Sequence, residues 1–464
     1  MNIIQLITNF TNNFNETFGI NITPFNLEEK LRNIGDEFTK QLYEEYLSQL
    51  DEKFKCSLER LQKYYVKETK KDRKLVSTIG EISFQSTRYV DKLTNKCYCF
   101  INDVLALKPY QRFTNEAEHT LVAYAMENNM SQSAKSALRN VIVSRSTVSR
   151  KVKNLKGSPK ENITKTDKQP DVLYIEIDEI HANLQFGGNR ICPCTIVHEG
   201  YKDNNAIRKE LLNVHYFASA YLTYEELTNV IYDYVDKKYD IDKFKVIFVS
   251  GDGLIAKQNL HKIFPNSKFV LDPFHYQCKY LNCIFKNNTY LKSIADNYIR
   301  NNQIDEFNLL VKSQIEQYPE EASQIRKKAK YITNNVEYII NQKDELYVCH
   351  CSMEGHVNHG FARYITSSPF GFSLEGLNNK LKLLVHFKNN HELTIDDYLN
   401  MKYGKDSYEE VNDNINKLLN VEIDKNIFKK HNQDVSINVS MPILTSGTNI
   451  GYLIKGISSL KNSI

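Results

Sequence analysis

Residues 173–185 read LYIEIDEIHANLQ. The start of the stretch alternates like a half-buried β-strand and ends on two acids, Asp178 and Glu179, with His181 just beyond. Neighbouring strand residues point to opposite faces, so Asp178 and Glu179 do not serve one site, and Glu179 is set aside. A single acidic strand end is ordinary turn chemistry. Here the pattern recurs. KVIFVSGDGLIAK (245–257) ends an apolar run on Asp252, between two glycines that leave the backbone uncrowded. KFVLDPFHYQCKY (268–280) ends on Asp272, with His275 three residues later. Asp272 before a proline also suits a helix N-cap, so it has a structural reading beside the functional one. In α/β sheets, ligands gather at the carboxyl ends of strands.

Carboxylates converging from separate strands suit a hard divalent cation such as Mg²⁺. Two such ions about 4 Å apart can serve both the attacking and the leaving oxygen in phosphoryl transfer. Asp178 and Asp252 supply two ligands, and a third must come from downstream. CHCSMEGHVNHGFARYITSSPFGFS (349–373) is dense in groups that bind metal or phosphate. Ser352 can cap a helix there, which sets Glu354 in its first turn with His356, His359 and Arg363 at helical spacing. Glu375, in SLEGLNNK, is the competing acid. The pairs Cys192-Pro-Cys194 and Cys349-His-Cys351 offer thiols for zinc, but structural zinc prefers wider C-x₂₋₄-C spacing.

The chain has 464 residues, 41% hydrophobic and 25% charged, enough for two to four structural units. No apolar run approaches a membrane span. The start, MNIIQLITNF, lacks a basic n-region, and nine cysteines form no regular framework. Both features predict a reduced, cytoplasmic protein. Leu31, Ile34, Phe38, Leu42, Tyr46, Leu50, Phe54, Leu58 and Leu61 form one stripe of a long helix over 26–68, within an N-terminal helical region of residues 1–68. A β-hairpin region is expected over 69–110, with LVSTIGEISFQSTRYVD as one strand and KCYCFINDVLAL after the turn. A polar linker spans 158–171, and the α/β pattern fills 172–275 and resumes over 346–390. Its strands are expected at 172–178, 190–197, 210–217, 244–250 and 267–271, with a helix at 223–239. Residues 276–345 read as a helical insertion, and 391–464 as a C-terminal tail.

Net charge is only +4, but Ser131–Lys168 carries ten Lys and Arg against two acids. Inside this basic stretch, MSQSAKSALRN (expected to be capped by Ser131), a short VIV link and SRSTVSRKVKNLK have the form of a helix-turn-helix, within the region 111–157. Val148, Val152 and Leu155 would be its buried stripe. Arg145, Thr147, Arg150, Lys151 and Lys153 would face double-stranded DNA.

The ordered set resembles the DDE transposases of bacterial insertion sequences, in particular the ISLre-type family, distantly related to Mutator-like transposases. It comprises the Asp178 strand, GDG at 251–253, DPFH at 272–275, the helical insertion, and EGHVNH followed by SSPFGFS. With the hairpin and helix-turn-helix upstream, the likeness covers most of residues 70–390. It implies an α/β ribonuclease-H-like catalytic domain with a helical insertion, preceded by helical, β-hairpin and helix-turn-helix segments. It implies Asp178, Asp252 and Glu354 as the catalytic, metal-binding triad for two Mg²⁺ or Mn²⁺ ions. Asp272 and His275 would be an accessory pair, with His356 beside them. The expected function is cleavage at transposon ends and strand transfer into target DNA by a homo-oligomer. One departure is Ser368-Pro369-Phe370-Gly371-Phe372, where relatives carry a tryptophan-containing segment; this chain has no Trp. A nuclease without strand transfer, a DNA-binding regulator and an inactivated transposase stand as alternatives.

Overall fold

A computed structural model describes residues 3–19, 26–159, 163–203, 209–252, 261–286, 288–349, 351–366 and 371–404. Gly253, His350, Ser368, Pro369, Phe370 and the expected tail beyond residue 404 lie outside these. No helix among the described residues is long and apolar enough to cross a membrane. The described residues divide into two compact units, one within residues 3–74 and 82–110, the other within residues 75–81 and 111–404.

In the first unit, α1 (Ile3–Gly19) precedes α2 (Leu27–Lys55) and α3 (Leu58–Lys63). The single helix expected over 26–68 therefore breaks at Cys56. Ser57 accepts a hydrogen bond from the Arg60 amide at 3.1 Å and caps a new helix. From Tyr64 the β-preferring Tyr-Tyr-Val sequence takes over as β1 (Tyr64–Ser77). β1 pairs with β2 (Gly80–Asp91), so the hairpin turn falls inside the stretch read as one strand. Gly80, at φ +129°, permits that turn. After β2, only Cys97–Tyr98 is strand (β3), and Phe100–Val104 is helix α4. The core is aromatic: Phe54 stacks on Phe100 at 4.1 Å, and Tyr64 on Tyr98 at 4.4 Å.

The second unit begins its helical part with α5 (Asn115–Glu127), α6 (Met130–Ser136) and α7 (Arg145–Lys153). Asn129, not Ser131, caps α6, accepting from the Gln132 amide at 2.8 Å. A five-stranded sheet follows, made of β4 (Val172–Asn183), β5 (Asn189–His198), β6 (His215–Ala218), β7 (Val246–Gly251) and β8 (Ser267–Leu271). Its order is β6-β5-β4-β7-β8. β5 runs antiparallel to β4 and β6, whereas β4, β7 and β8 are parallel. Of the strand expected at 210–217, only its end joins the sheet, while Leu211 makes an isolated bridge to Tyr201. Helix α8 (Tyr224–Lys238), closed at its start by a Thr223–Glu226 capping box, covers one face. There Leu173, Ile175 and Ile177 pack with Leu227, Ile231, Tyr234 and Val235.

The helical insertion is α9 (Asn282–Phe285), α10 (Thr289–Arg300), α11 (Ile304–Gln317), α12 (Ala322–Asn334) and α13 (Val336–Ile340). A π-helical turn, His275–Leu281, leads into it. At its end, the side-chain amides of Asn341 and Gln342 donate to the carbonyls of Phe269 and Leu271, both at 2.8 Å. These side chains satisfy carbonyls of the outermost strand, β8. The opposite face of the sheet receives α14 (Met353–Val357), which continues through a π-helical turn to α15 (Arg363–Ile365), and then α16 (Leu374–Asn390). The tail expected from residue 391 begins instead with a helix, α17 (Ile395–Tyr403). Helices α16 and α17 share a core with α5–α7, through Leu383, Leu393, Tyr398 and Met401. Lys380, with its pKa lowered by burial to about 7, donates to the carbonyls of Ala125, Met126 and Asn128 at the end of α5.

The SSPFGFS motif acquires a structural reason at its described end. Phe372 bridges to Leu184, its amide donating to Asn183 and its carbonyl accepting from the Gln185 amide at 2.9 Å. A Cβ at Gly371 would collide with the Leu184 carbonyl. Gly371→Ala is therefore expected to destabilise the fold by about 1–3 kcal/mol; an unshifted urea midpoint would contradict this close approach.

Candidate active site and nucleic-acid surface

The ladder of β4, β7 and β8 sets the levels of the acids. Glu176 pairs with Ser250, and Ser250 with Val270. Asp178, Asp252 and Asp272 each stand two residues further on. Asp178 lies within β4 on the face that carries Glu176, while Asp252 and Asp272 directly follow the last residues of β7 and β8 at the same end of the sheet. The Glu176 face is also the one that receives α14, because Ile180, Cys192 and Cys194 pack there with Met353 and Val357. Glu179 takes the other face, where the Tyr224 hydroxyl donates to it at 2.5 Å. Burial and then that bond raise the Tyr224 pKa, and the charges of Asp252 and Asp178 add to the effect.

Asp272 is bonded through both of its oxygens. Its Oδ1 accepts the Phe274 amide at 3.0 Å, and its Oδ2 meets His275 Nδ1 at 2.6 Å. Lys279 Nζ donates to His275 Nε2 at 2.8 Å, so the imidazole proton sits on Nδ1 and points at Asp272. Next to this chain, the Tyr331 hydroxyl of the insertion donates to the Asp252 carbonyl. The sequence carries no signal for the Tyr331 contact, which joins residues 79 apart and depends on how the insertion folds back.

Glu354 lies in the first turn of α14, as expected, with Oε1 accepting from Nδ2 of the Asn358 side chain at 3.1 Å. Ser352 sits at the N-cap position but does not cap; its hydroxyl and amide both donate to Glu176 Oε2. The thiol of Cys351 is pushed well up, by burial first and then by Glu176, Asp272 and Asp178. The approach to Glu354 thus runs among the strand-end acids. His356 turns elsewhere, its Nδ1 meeting the Tyr216 hydroxyl at 2.9 Å, and burial lowers its pKa. Among the described residues, no three His, Cys, Asp or Glu side chains stand close enough to hold an ion, so neither the acids nor the cysteine pairs form a closed ligand set. The competitor Glu375 is exposed on α16 and pairs with Lys153 at 3.8 Å.

The five residues expected to face DNA divide. Arg145 and Arg150 are exposed. Thr147 is spent on the N-terminus of α7: its amide donates to Ser144 Oγ at 3.1 Å, and the two hydroxyls meet at 2.9 Å. Lys153 reaches Glu375, and Lys151 pairs with the buried Glu118. Glu118 also holds Lys402 at 2.8 Å and the Tyr398 hydroxyl at 2.7 Å. The Asn379 amide donates to the carbonyls of Val152, Lys153 and Leu155 at 2.9–3.1 Å and so caps the end of α7. Helix α7 is thus built into the core rather than carried on a separate module.

The family model of UPF0236, described as an uncharacterised protein family, matches residues 16–399. The chain belongs to the UPF0236 family. Among its relatives in Caldanaerobacter subterraneus subsp. tengcongensis, one UPF0236 protein is 30% identical over 400 residues, covering 84% of each chain. A second is 30% identical over 400 residues, covering 84% of this chain and 80% of its own. A third, 29% identical over 401 residues with 84% of each chain covered, has a name that joins eleven locus designations.

Burial would raise the Glu118 carboxyl, but Lys402 and Lys151 outweigh it and hold the pKa below its ordinary value. Folding gains from this carboxylate above its unfolded pKa of about 4.3, and loses the gain as pH falls through the lowered folded value. Lys151→Ala is expected to cost about 1–3 kcal/mol by stripping a partner from a buried charge. Arg150→Ala should stay within about 0.5 kcal/mol. Urea unfolding at neutral pH compares the two; equal midpoints would contradict the structural role of Lys151.

Proposed function

We propose that this UPF0236 protein is a DDE-type DNA transposase built on a ribonuclease-H-like sheet. The observation that carries the reading is that Asp178 of β4 and Asp252, directly after the adjacent parallel strand β7, lie at one end of the sheet, with the helix that bears Glu354 packed on β4. The strand order β6-β5-β4-β7-β8, with only β5 reversed among the long strands, supports the same sheet type. The locus designations joined in the relatives' names support it independently. Eleven loci under one protein name, and four under another, in a single genome are what a self-copying element leaves behind.

The donor chemistry fits a hard divalent cation. Asp178, Asp252 and Glu354 are oxygen donors from three separate segments, and the neighbouring thiols of Cys194 and Cys351 are held protonated by burial. These three residues would hold Mg²⁺ or Mn²⁺, which when bound supplies positive charge to the oxygens of the phosphate under attack. The chain's own groups do the rest. The Asp272–His275–Lys279 chain holds a proton on His275 Nδ1 and a cation at the same end of the sheet. Arg145 and Arg150 supply the exposed charge for the phosphates of double-stranded DNA. The protein would work in the cytoplasm as a homo-oligomer, cutting at element ends and joining the freed 3′-hydroxyl to target DNA.

Asp178→Asn and Asp252→Asn are each expected to lower Mg²⁺-dependent cleavage of element-end DNA by about 1,000-fold or more, the cost of removing preorganised charge stabilisation. End binding should persist, and Glu375→Ala should cleave like the wild type. Wild-type cleavage by either aspartate variant would remove the two-metal reading. Cleavage without joined product would favour the nuclease without strand transfer. Arg150→Ala should reduce the magnitude of the log–log salt slope of DNA binding by about 0.9 for each phosphate that the arginine neutralises. An unchanged slope would exclude α7 from the DNA interface.

A further inference from the structure

Glu176 and His198 face each other inside the sheet, 1% and 0% exposed, and the chemistry proposed above uses neither. The Gly200 amide donates to His198 Nδ1 at 3.1 Å, which leaves the imidazole proton on Nε2, 3.2 Å from Glu176 Oε1. Glu176 Oε2 accepts the Ser352 amide at 2.9 Å and its hydroxyl at 3.1 Å. Three donors from two distant segments thus occupy both oxygens of one buried carboxylate. With its oxygens engaged, Glu176 is a poor ligand for an ion. Its position is the informative feature. It lies one pleat before Asp178 on the same face of β4, and its partner Ser352 lies two residues before Glu354.

Helix α14 spans five residues before its π-helical turn, too short to hold its own register. Met353 and Val357 press it onto the sheet, but apolar contacts are non-directional and leave it free to slide or rotate. The Glu176 bonds are directional. We propose that Glu176 is a positioning residue that, steadied by His198, locks the start of α14 to β4 and thereby fixes the Glu354 carboxylate opposite Asp178. The proposal rests on the two-metal reading above. It assigns a task to a buried acid that would otherwise only burden the fold, since an unpaired charge at that depth is strongly disfavoured.

The test uses the full-length chain with Mn²⁺ alone as probe, by titration calorimetry, alongside hydrogen exchange of the amides of residues 352–357. Glu176→Gln keeps the side chain's size but turns an amide toward a donor. Ser352→Ala removes the hydroxyl, keeps the backbone amide, and guards against a Glu176→Gln variant that does not fold. Expected are about 10- to 100-fold weaker Mn²⁺ binding in Glu176→Gln and a smaller loss in Ser352→Ala. Both variants should show faster exchange in α14. Glu176→Asp should recover part of the affinity. Wild-type affinity in both variants, with Asp178→Asn abolishing binding, overturns the positioning role and leaves the metal reading standing. Faster exchange with unchanged affinity also overturns it, because Glu176 would then be a fold anchor only. Equal Mn²⁺ binding by wild type and Asp178→Asn removes the metal reading and this proposal together.

Discussion

The hydrogen-bond ladder between β4, β7 and β8 is the constraint from which the rest of the candidate site follows. A parallel ladder allows no half-step, because a shift of one residue would send every side chain to the opposite face. Once Glu176, Ser250 and Val270 stand in register, the aspartates two positions beyond them come to the same end of the sheet. The apolar residues between them are driven to the α8 side by the same alternation. Core packing and acid placement are thus two results of one register, and a residue inserted before Asp178 or Asp252 would disturb both.

The helices around the sheet have tasks that their sequences do not announce. Insertion side chains satisfy the outer carbonyls of β8, and Tyr331 reaches the backbone of Asp252. On the other side, Asn379 and Lys380 of α16 hold the ends of α7 and α5 by their backbone carbonyls. Glu118 gathers Lys151, Lys402 and a tyrosine hydroxyl in the same core. The basic segment is therefore partly structural. Lys151 is drawn into the core, while Arg145 and Arg150 on the same helix stay exposed.

What can be read from the sequence follows from how local each signal is. β4, β5, β7 and β8 are legible because each is an apolar run that ends on an acid or a turn, and α8 because its stripe is uninterrupted. β1 escapes a reading by pattern because its exposed strand is full of Lys, Glu and Asp, with little alternation to mark it. The break at Cys56 is hidden because the apolar stripe continues across it in sequence, while Ser57 provides the cap only once the chain turns. The candidate acids are legible as strand ends, but the partner of Glu176 lies 176 residues away. Nor does a pattern in the basic segment reveal that Lys151 belongs to Glu118, 33 residues upstream. Side-chain bonds between distant segments follow from the fold, and no periodicity encodes them.

The central claim is that Asp178, Asp252 and Glu354 form one ion-holding site at the end of the parallel strands. Anomalous diffraction from crystals of the full chain grown with Mn²⁺ and element-end DNA tests it most directly. The account predicts manganese peaks bounded by these three carboxylates, with Glu176 still bonded to Ser352 and outside the coordination sphere. Manganese bound elsewhere, with the three carboxylates apart and directed away from one another, would contradict it.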